Sequence, residues 1–354
     1  NAANIEIRSG GNTSINGVVS ADDTLAVSAG QNLVVSGKAA AGAEVPSLSQ
    51  LSAGDQLTLH AGVNLTVSDA ADIRVTDADG EFSVSAGRVV NLGSALSQAP
   101  GGSDNGDRAS ASDLIATFTS AGSMTVEAGS ELQLSGAFEA ESALNLRAGV
   151  LALAPGGSGS INSDFETSLV AEDIVLSSGQ FGGNITLVEN ALTATSSLGV
   201  SAVAGRVTFD SGSVQTGTLT VTAERDIAIA GSESGDNSIN LEVGTVNIAS
   251  TGRGDIDLII ASDADLADIR ANDGAITVQA AGALTLSQVK TLSVSNRNSI
   301  DIRTIGAANA LTVGEVSTAG RGDVTLRTQS TVTMRAAAES GDAVQANTLD
   351  VRAG

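Results

Sequence analysis

Two Arg-Gly-Asp triplets, Arg253-Gly254-Asp255 and Arg321-Gly322-Asp323, are the residues whose type and spacing best suit recognition chemistry. Such a triplet can present an aspartate carboxylate to a cation held by an integrin while the arginine enters a second pocket. The same residues also read as turns. Gly-Asp or Gly-Asn recurs in this chain, as in Gly183-Asn184-Ile185 and Gly235-Asp236, and Asp255 and Asp323 stand just before Ile256 and Val324. Glycine and aspartate are favoured in turns for their backbone freedom and local hydrogen bonding.

Carboxylates come next. Asp77, Asp79 and Glu81 alternate around Gly80, and Asp263, Asp265 and Asp268 lie near Asp273. Calcium takes six to eight oxygens, and such loops can supply part of that set. Neither cluster has the twelve-residue EF-hand pattern, and the Gly-Gly-x-Gly-x-Asp calcium repeat is absent. The alternative is a set of solvated acids on turns. Calcium is thus the one cofactor left open, and otherwise none is expected.

Catalysis finds little material. The single histidine, His60, lies in Leu57-Thr58-Leu59-His60-Ala61-Gly62 with no acid nearby in sequence. Sugar-cleaving enzymes use carboxylate pairs, and those built on parallel coils also use Arg or Lys along an aromatic-lined groove. Here there is no Trp and no Tyr, and the only lysines are Lys38 and Lys290. No catalytic residue is assigned, and the expectation is a non-enzyme. Thr218, Thr220 and Thr222 form a Thr-x-Thr row of the kind found on ice-binding solenoids, but it is not repeated at matched positions.

The elements that must hold these residues follow from composition and period. The 354-residue chain has 41 Gly, 3 Pro, no Cys, and Phe as its only aromatic, yet 42% of its residues are hydrophobic. With 40 acids against 17 bases its formal charge is -23, so a nucleic-acid backbone or an anionic membrane surface is repelled. No run of apolar residues is long enough to be a transmembrane helix. Zero Cys excludes disulfides and thiolate metal sites.

A short unit recurs, in which apolar and polar residues alternate before a small residue and Gly. It is seen in Leu25 to Gly30, Leu57 to Gly62, Phe82 to Gly87, Met124 to Gly129 and Leu144 to Gly149. The alternation predicts short half-buried strands, and the Gly predicts a turn that needs positive φ. Strand starts recur at 8 residues, as at Leu57, Leu65 and Ile73, and at Ile276, Leu284, Leu292 and Ile300. Regular strands with no helices between them predict an all-β parallel β-helix, a β-solenoid whose coils stack. At ~20–25 residues per coil and about 4.8 Å rise, this gives roughly 14–17 coils and a rod on the order of 70–80 Å. A narrow stacked interior explains the small aliphatic composition. The polar strand residues Asn145, Thr186, Asn247, Asp301 and Asp350 should face solvent, where Asn and Thr can form ladders. A hairpin-built β-sandwich is the alternative fold.

Residues 1–354 read as a single solenoid segment with loops near 38–50, 96–112, 154–163 and 335–347, the charged ones being where binding would concentrate. The first residue is Asn1 and the last six are part of a repeat, which reads as a piece of a longer chain. The segments 57–68 (LTLHAGVNLTVS), 219–231 (LTVTAERDIAIAG) and 276–287 (ITVQAAGALTLS) resemble the repeats of filamentous haemagglutinin-like two-partner-secretion exoproteins. The resemblance implies a right-handed parallel β-helix, an extracellular or cell-surface location, and a stalk or adhesive-fibre role. The expected function is a structural, non-catalytic stalk or fibre. Its partners would be neighbouring solenoid segments or copies of itself, without nucleic acid and without membrane insertion. The alternatives are an adhesin binding a cell-surface receptor or polysaccharide through corner loops, and a self-stacking filament subunit.

Overall fold

A computed structural model describes residues 2–36, 49–68, 71–94, 116–150, 159–163, 167–179, 182–229, 239–295, 297–319, 321–335 and 344–354. The described residues are all-β, with parallel strands stacked as a β-solenoid of about 12 turns and no helix. Every described strand pairing is parallel, for example Gln56–Ala61 with Glu81–Ala86, which excludes the hairpin sandwich. Among these residues no helix is long and apolar enough to cross a membrane. The chain divides into two compact units, Asn1–Glu172 and Asp173–Gly354.

In the first unit, the turns are three-sided. Gln56–Ala61, Asn64–Ser68 and Ala71–Val75 make one turn, and Glu81–Ala86, Val89–Ser94 and Thr117–Ser120 pair with them in order. The recurring unit of the sequence becomes three ladders. Its first apolar position stacks as Leu25, Leu57, Phe82, Met124 and Leu144. Its second stacks as Val27, Leu59, Val84, Val126 and Leu146, and its alanine as Ala29, Ala61, Ala86, Ala128 and Ala148. All of these are buried, and each Leu, Val or Met so buried contributes about 1.5–3 kcal/mol. The polar residues between them point outward because strand side chains alternate. An amide ladder forms outside: Asn32 Nδ2 donates to Asn12 Oδ1 at 2.9 Å, and Asn64 Nδ2 donates to Asn32 Oδ1 at 3.1 Å.

The glycines act differently from the sequence expectation. Among the repeat glycines Gly30, Gly62, Gly87 and Gly149, only Gly149 has positive φ. The others are required by stacking, since a Cβ on Gly62 would stand 2.2 Å from the Gly30 carbonyl oxygen.

The second unit is also three-sided. Its strand Val207–Ala223 crosses all three sides of one turn. One ladder runs Ile185, Val207, Ile227, Ile256, Ile276, Ile300, Val324, Leu349.

The turns are fewer than the roughly 14–17 expected, because the corners vary and some turns take well over 25 residues. Residues one turn apart are separated by 20 positions at Asp255 and Ala275, 25 at His60 and Ser85, 32 at Ser20 and Ser52, and 42 at Arg88 and Ser130. Leu292 does not start a strand. It is 53% exposed, just beyond the strand Leu284–Thr291, whose third-side core residue is Val289. Of the expected loops, 96–112 lies outside the described residues, as do 38–48, 154–158 and 336–343. Parts of the others are strand: Ser49 and Gln50 open Ser49–Ala53, Ser160–Ser163 pairs with Glu131–Leu134, and Val344–Gln345 pairs with Val316 and Ser317.

Candidate functional site

The ladder from Ile256 to Val324 sets both Arg-Gly-Asp triplets on one corner of the second unit. Ile256, Ile276, Ile300 and Val324 are successive partners, so Asp255 and Asp323 lie three turns apart, or about 14 Å at ~4.8 Å per turn. Between them the corner carries Asp273-Gly274-Ala275 and Arg297-Asn298-Ser299.

Two of the aspartates here have a backbone task, and Asp323 has a side-chain partner. Asp226 Oδ1 accepts from the Asp255 N–H at 3.1 Å, and Asp255 Oδ1 accepts from the Ala275 N–H at 2.8 Å. Asn184 does the same for Arg206, at 3.0 Å. The carboxylate before one strand therefore caps the donor that opens the next, an arrangement suited to a corner where that N–H would lack a ladder partner. Asp323 Oδ1 accepts from Asn347 Nδ2 at 3.2 Å. The triplet glycines are packing requirements: a Cβ on Gly254 would lie 2.1 Å from the Arg225 carbonyl carbon, and one on Gly322 would lie 1.9 Å from the Asn298 oxygen.

The arginines and the two triplet aspartates all face outward, Asp255 and Asp323 being exposed as well. The Arg253 side chain is 90% exposed and meets Asp273 at 3.4 Å, while Arg297 and Arg321 are exposed. Arg253, Asp255, Asp273, Ala275 and Arg297 line an open groove of about 420 Å³. The groove presents guanidinium and carboxylate groups side by side, and exposed pairs of this kind add little stability.

The calcium candidates are not brought together. Among the described residues no three His, Asp or Glu side chains converge in metal-binding geometry. The Asp77 carboxyl is held above its usual range, first by a hydrogen bond with Asp55, then by desolvation and the nearby charges of Asp55 and Asp23. Asp79 and Glu81 are exposed, with Glu81 opening the strand Glu81–Ala86. Asp263 Oδ1 caps the Ala283 N–H at 2.7 Å, Asp268 pairs with Arg270 at 2.7 Å, and Asp265 lies in register with Thr285.

Sequence reasoning missed one pair. His60 Nδ1 lies 2.9 Å from Ser85 Oγ, in an outward column that runs Ser28, His60, Ser85, Glu127, Arg147. Among the described residues no hydrogen bond joins this imidazole to a carboxylate. Matching the two Ala-Gly units that follow His60 and Ser85 would have found the pair. The threonine row is flanked by Ser197, Gly199 and Ser201 on one side and by Thr245, Asn247 and Ala249 on the other.

No protein-family model, curated protein or solved structure matches this chain. Its architecture makes it a β-solenoid repeat protein.

Proposed function

We propose that this solenoid is a structural, non-catalytic segment of a secreted or surface-bound bacterial protein, a stiff stalk or fibre of the filamentous haemagglutinin-like kind. One observation carries the reading: within each unit, successive turns pair in parallel and in register on all three sides. A backbone bonded turn to turn over continuous apolar ladders resists bending, because any bend must open a ladder on one side. Its partners would be neighbouring solenoid segments or further copies of itself. Negative-stain electron microscopy of the purified chain tests this. Discrete rods are expected; long fibres would favour self-stacking, and compact particles would overturn the stalk.

Adhesion is the second reading, favoured by the exposed Arg253 and the open groove beside it. Its ligand would be a cell-surface receptor or a polysaccharide. Surface attachment by the full chain, compared with an Arg253→Ala, Arg297→Ala double variant, tests it, and equal attachment would remove it.

A further inference from the structure

A bend in the second unit holds a feature that a purely structural stack does not need. Asn190 is only 4% exposed, and neither its Oδ1 nor its Nδ2 has a hydrogen-bond partner. In register with it on the next turns stand Gly212 and then Ile239. Gly212 has φ of +109°, and a Cβ there would lie 2.2 Å from the Asn190 carbonyl oxygen, so the position admits no side chain. The missing side chain leaves a cavity of about 10 Å³ between the asparagine and the isoleucine, lined also by Leu187, Phe209 and Ser211. Ser211 has φ of +65°, the one positive value of a non-glycine among the described residues. Backbone strain of this kind persists where its surroundings over-determine it.

We propose that this cavity is a binding site for one ordered water molecule, held by the side-chain amide of Asn190. A dry cavity would leave a whole amide buried without partners, which native interiors avoid. The space matches one water by the same measure, about 10–15 Å³. The amide offers a neutral donor and a neutral acceptor, which suits water. A bare cation would need several oxygens, and apart from Asn190 the lining side chains offer only the hydroxyls of Ser211 and Ser213. Ser211 Oγ donates to the Asp210 carbonyl at 2.5 Å, so its lone pairs are left to accept from the water. The water thus stands where the following turn places the side chain of Ile239.

A crystal structure of the full chain at about 1.5 Å tests the site by showing solvent density at hydrogen-bond distance, ~2.7–3.2 Å, from the Asn190 amide. With selectively labelled asparagine in solution, the Asn190 side-chain amide should show a cross-peak to long-lived water. Asn190→Leu should abolish both signals. An empty cavity, a direct bond from Asn190 to a protein group, or density ringed by short metal-like contacts would each overturn the proposal. The wild-type measurements decide it even if the leucine variant does not fold.

Discussion

His60 Nδ1 and Ser85 Oγ stand 2.9 Å apart, joined across one turn of the solenoid and 25 residues of chain. The pair reports the register of the outward face directly. A double-mutant cycle with His60→Ala and Ser85→Ala should give a coupling of about 0.5–1.5 kcal/mol, as for a typical hydrogen bond. Urea unfolding of the four proteins measures it, and strictly additive effects would count against the bond.

Glycine at a stacking corner should be far less replaceable than glycine in open space. A Cβ on Gly62 would meet the Gly30 carbonyl oxygen at 2.2 Å, whereas one on Gly11 would meet nothing within 4 Å. Gly62→Ala should therefore destabilise by about 2 kcal/mol or more, since the clashing atom is backbone and cannot swing away. Gly11→Ala should be neutral or stabilising by ~0.4–1 kcal/mol, through the unfolded chain. Paired denaturation midpoints check this, and equal losses would show that the spacing between turns is looser than described.

The repeat was legible in the sequence because strand side chains alternate and one face is buried. Leu57, Leu59 and Ala61 enter the core for the same reason that Thr58 and His60 leave it. The number of turns was not legible, because corner length is set by loops that carry no periodic signal. The pairing of His60 with Ser85 was legible only by aligning the Ala-Gly units that follow them, since the corners between carry no signal of their own. Stacking explains the repeat glycines, yet on sequence alone a close approach and a positive φ select the same residue. At the candidate site the turn character of Asp255 could be read from its place before Ile256. Its hydrogen bond to the Ala275 N–H could not, because that residue belongs to the next turn.

Two carboxylates should shift stability with pH in opposite directions. Burial pushes the Asp257 carboxyl up, and Asp255 adds to this while Arg303 opposes it. Its raised folded value means that the unfolded chain ionises first, so the ionised group costs stability above its ordinary value of 3.8. Asp257→Asn should raise the unfolding midpoint at pH 7 and make no difference near pH 3. Glu315 is the reverse. Hydrogen bonds from Lys290 and Gln288 hold it below 4.5, so its contribution is present above that pH and is lost as pH falls through the lowered value. Glu315→Gln should lower the midpoint at pH 7, with the difference closing in acid. Two urea series against pH measure this, and parallel curves would contradict both assignments.

Asp255 allows the turn role and the recognition role to be separated by one atom. Its Oδ1 caps the Ala275 N–H, a task that an asparagine oxygen performs equally, as Asn184 does for Arg206. Asp255→Asn should therefore keep stability within about 0.5 kcal/mol, as expected of a surface change that preserves the bond. Asp255→Ala should lose ~1 kcal/mol or more with the cap. Recognition through a cation at a receptor would respond the other way, because a neutral amide is a poor ligand for a hard cation. If the corner is adhesive, Asp255→Asn together with Asp323→Asn should abolish divalent-cation-dependent attachment of the full chain to integrin-bearing cells while leaving the melting temperature in place. Undiminished attachment, or attachment insensitive to chelator, would assign both triplet aspartates to the corner's own hydrogen bonding.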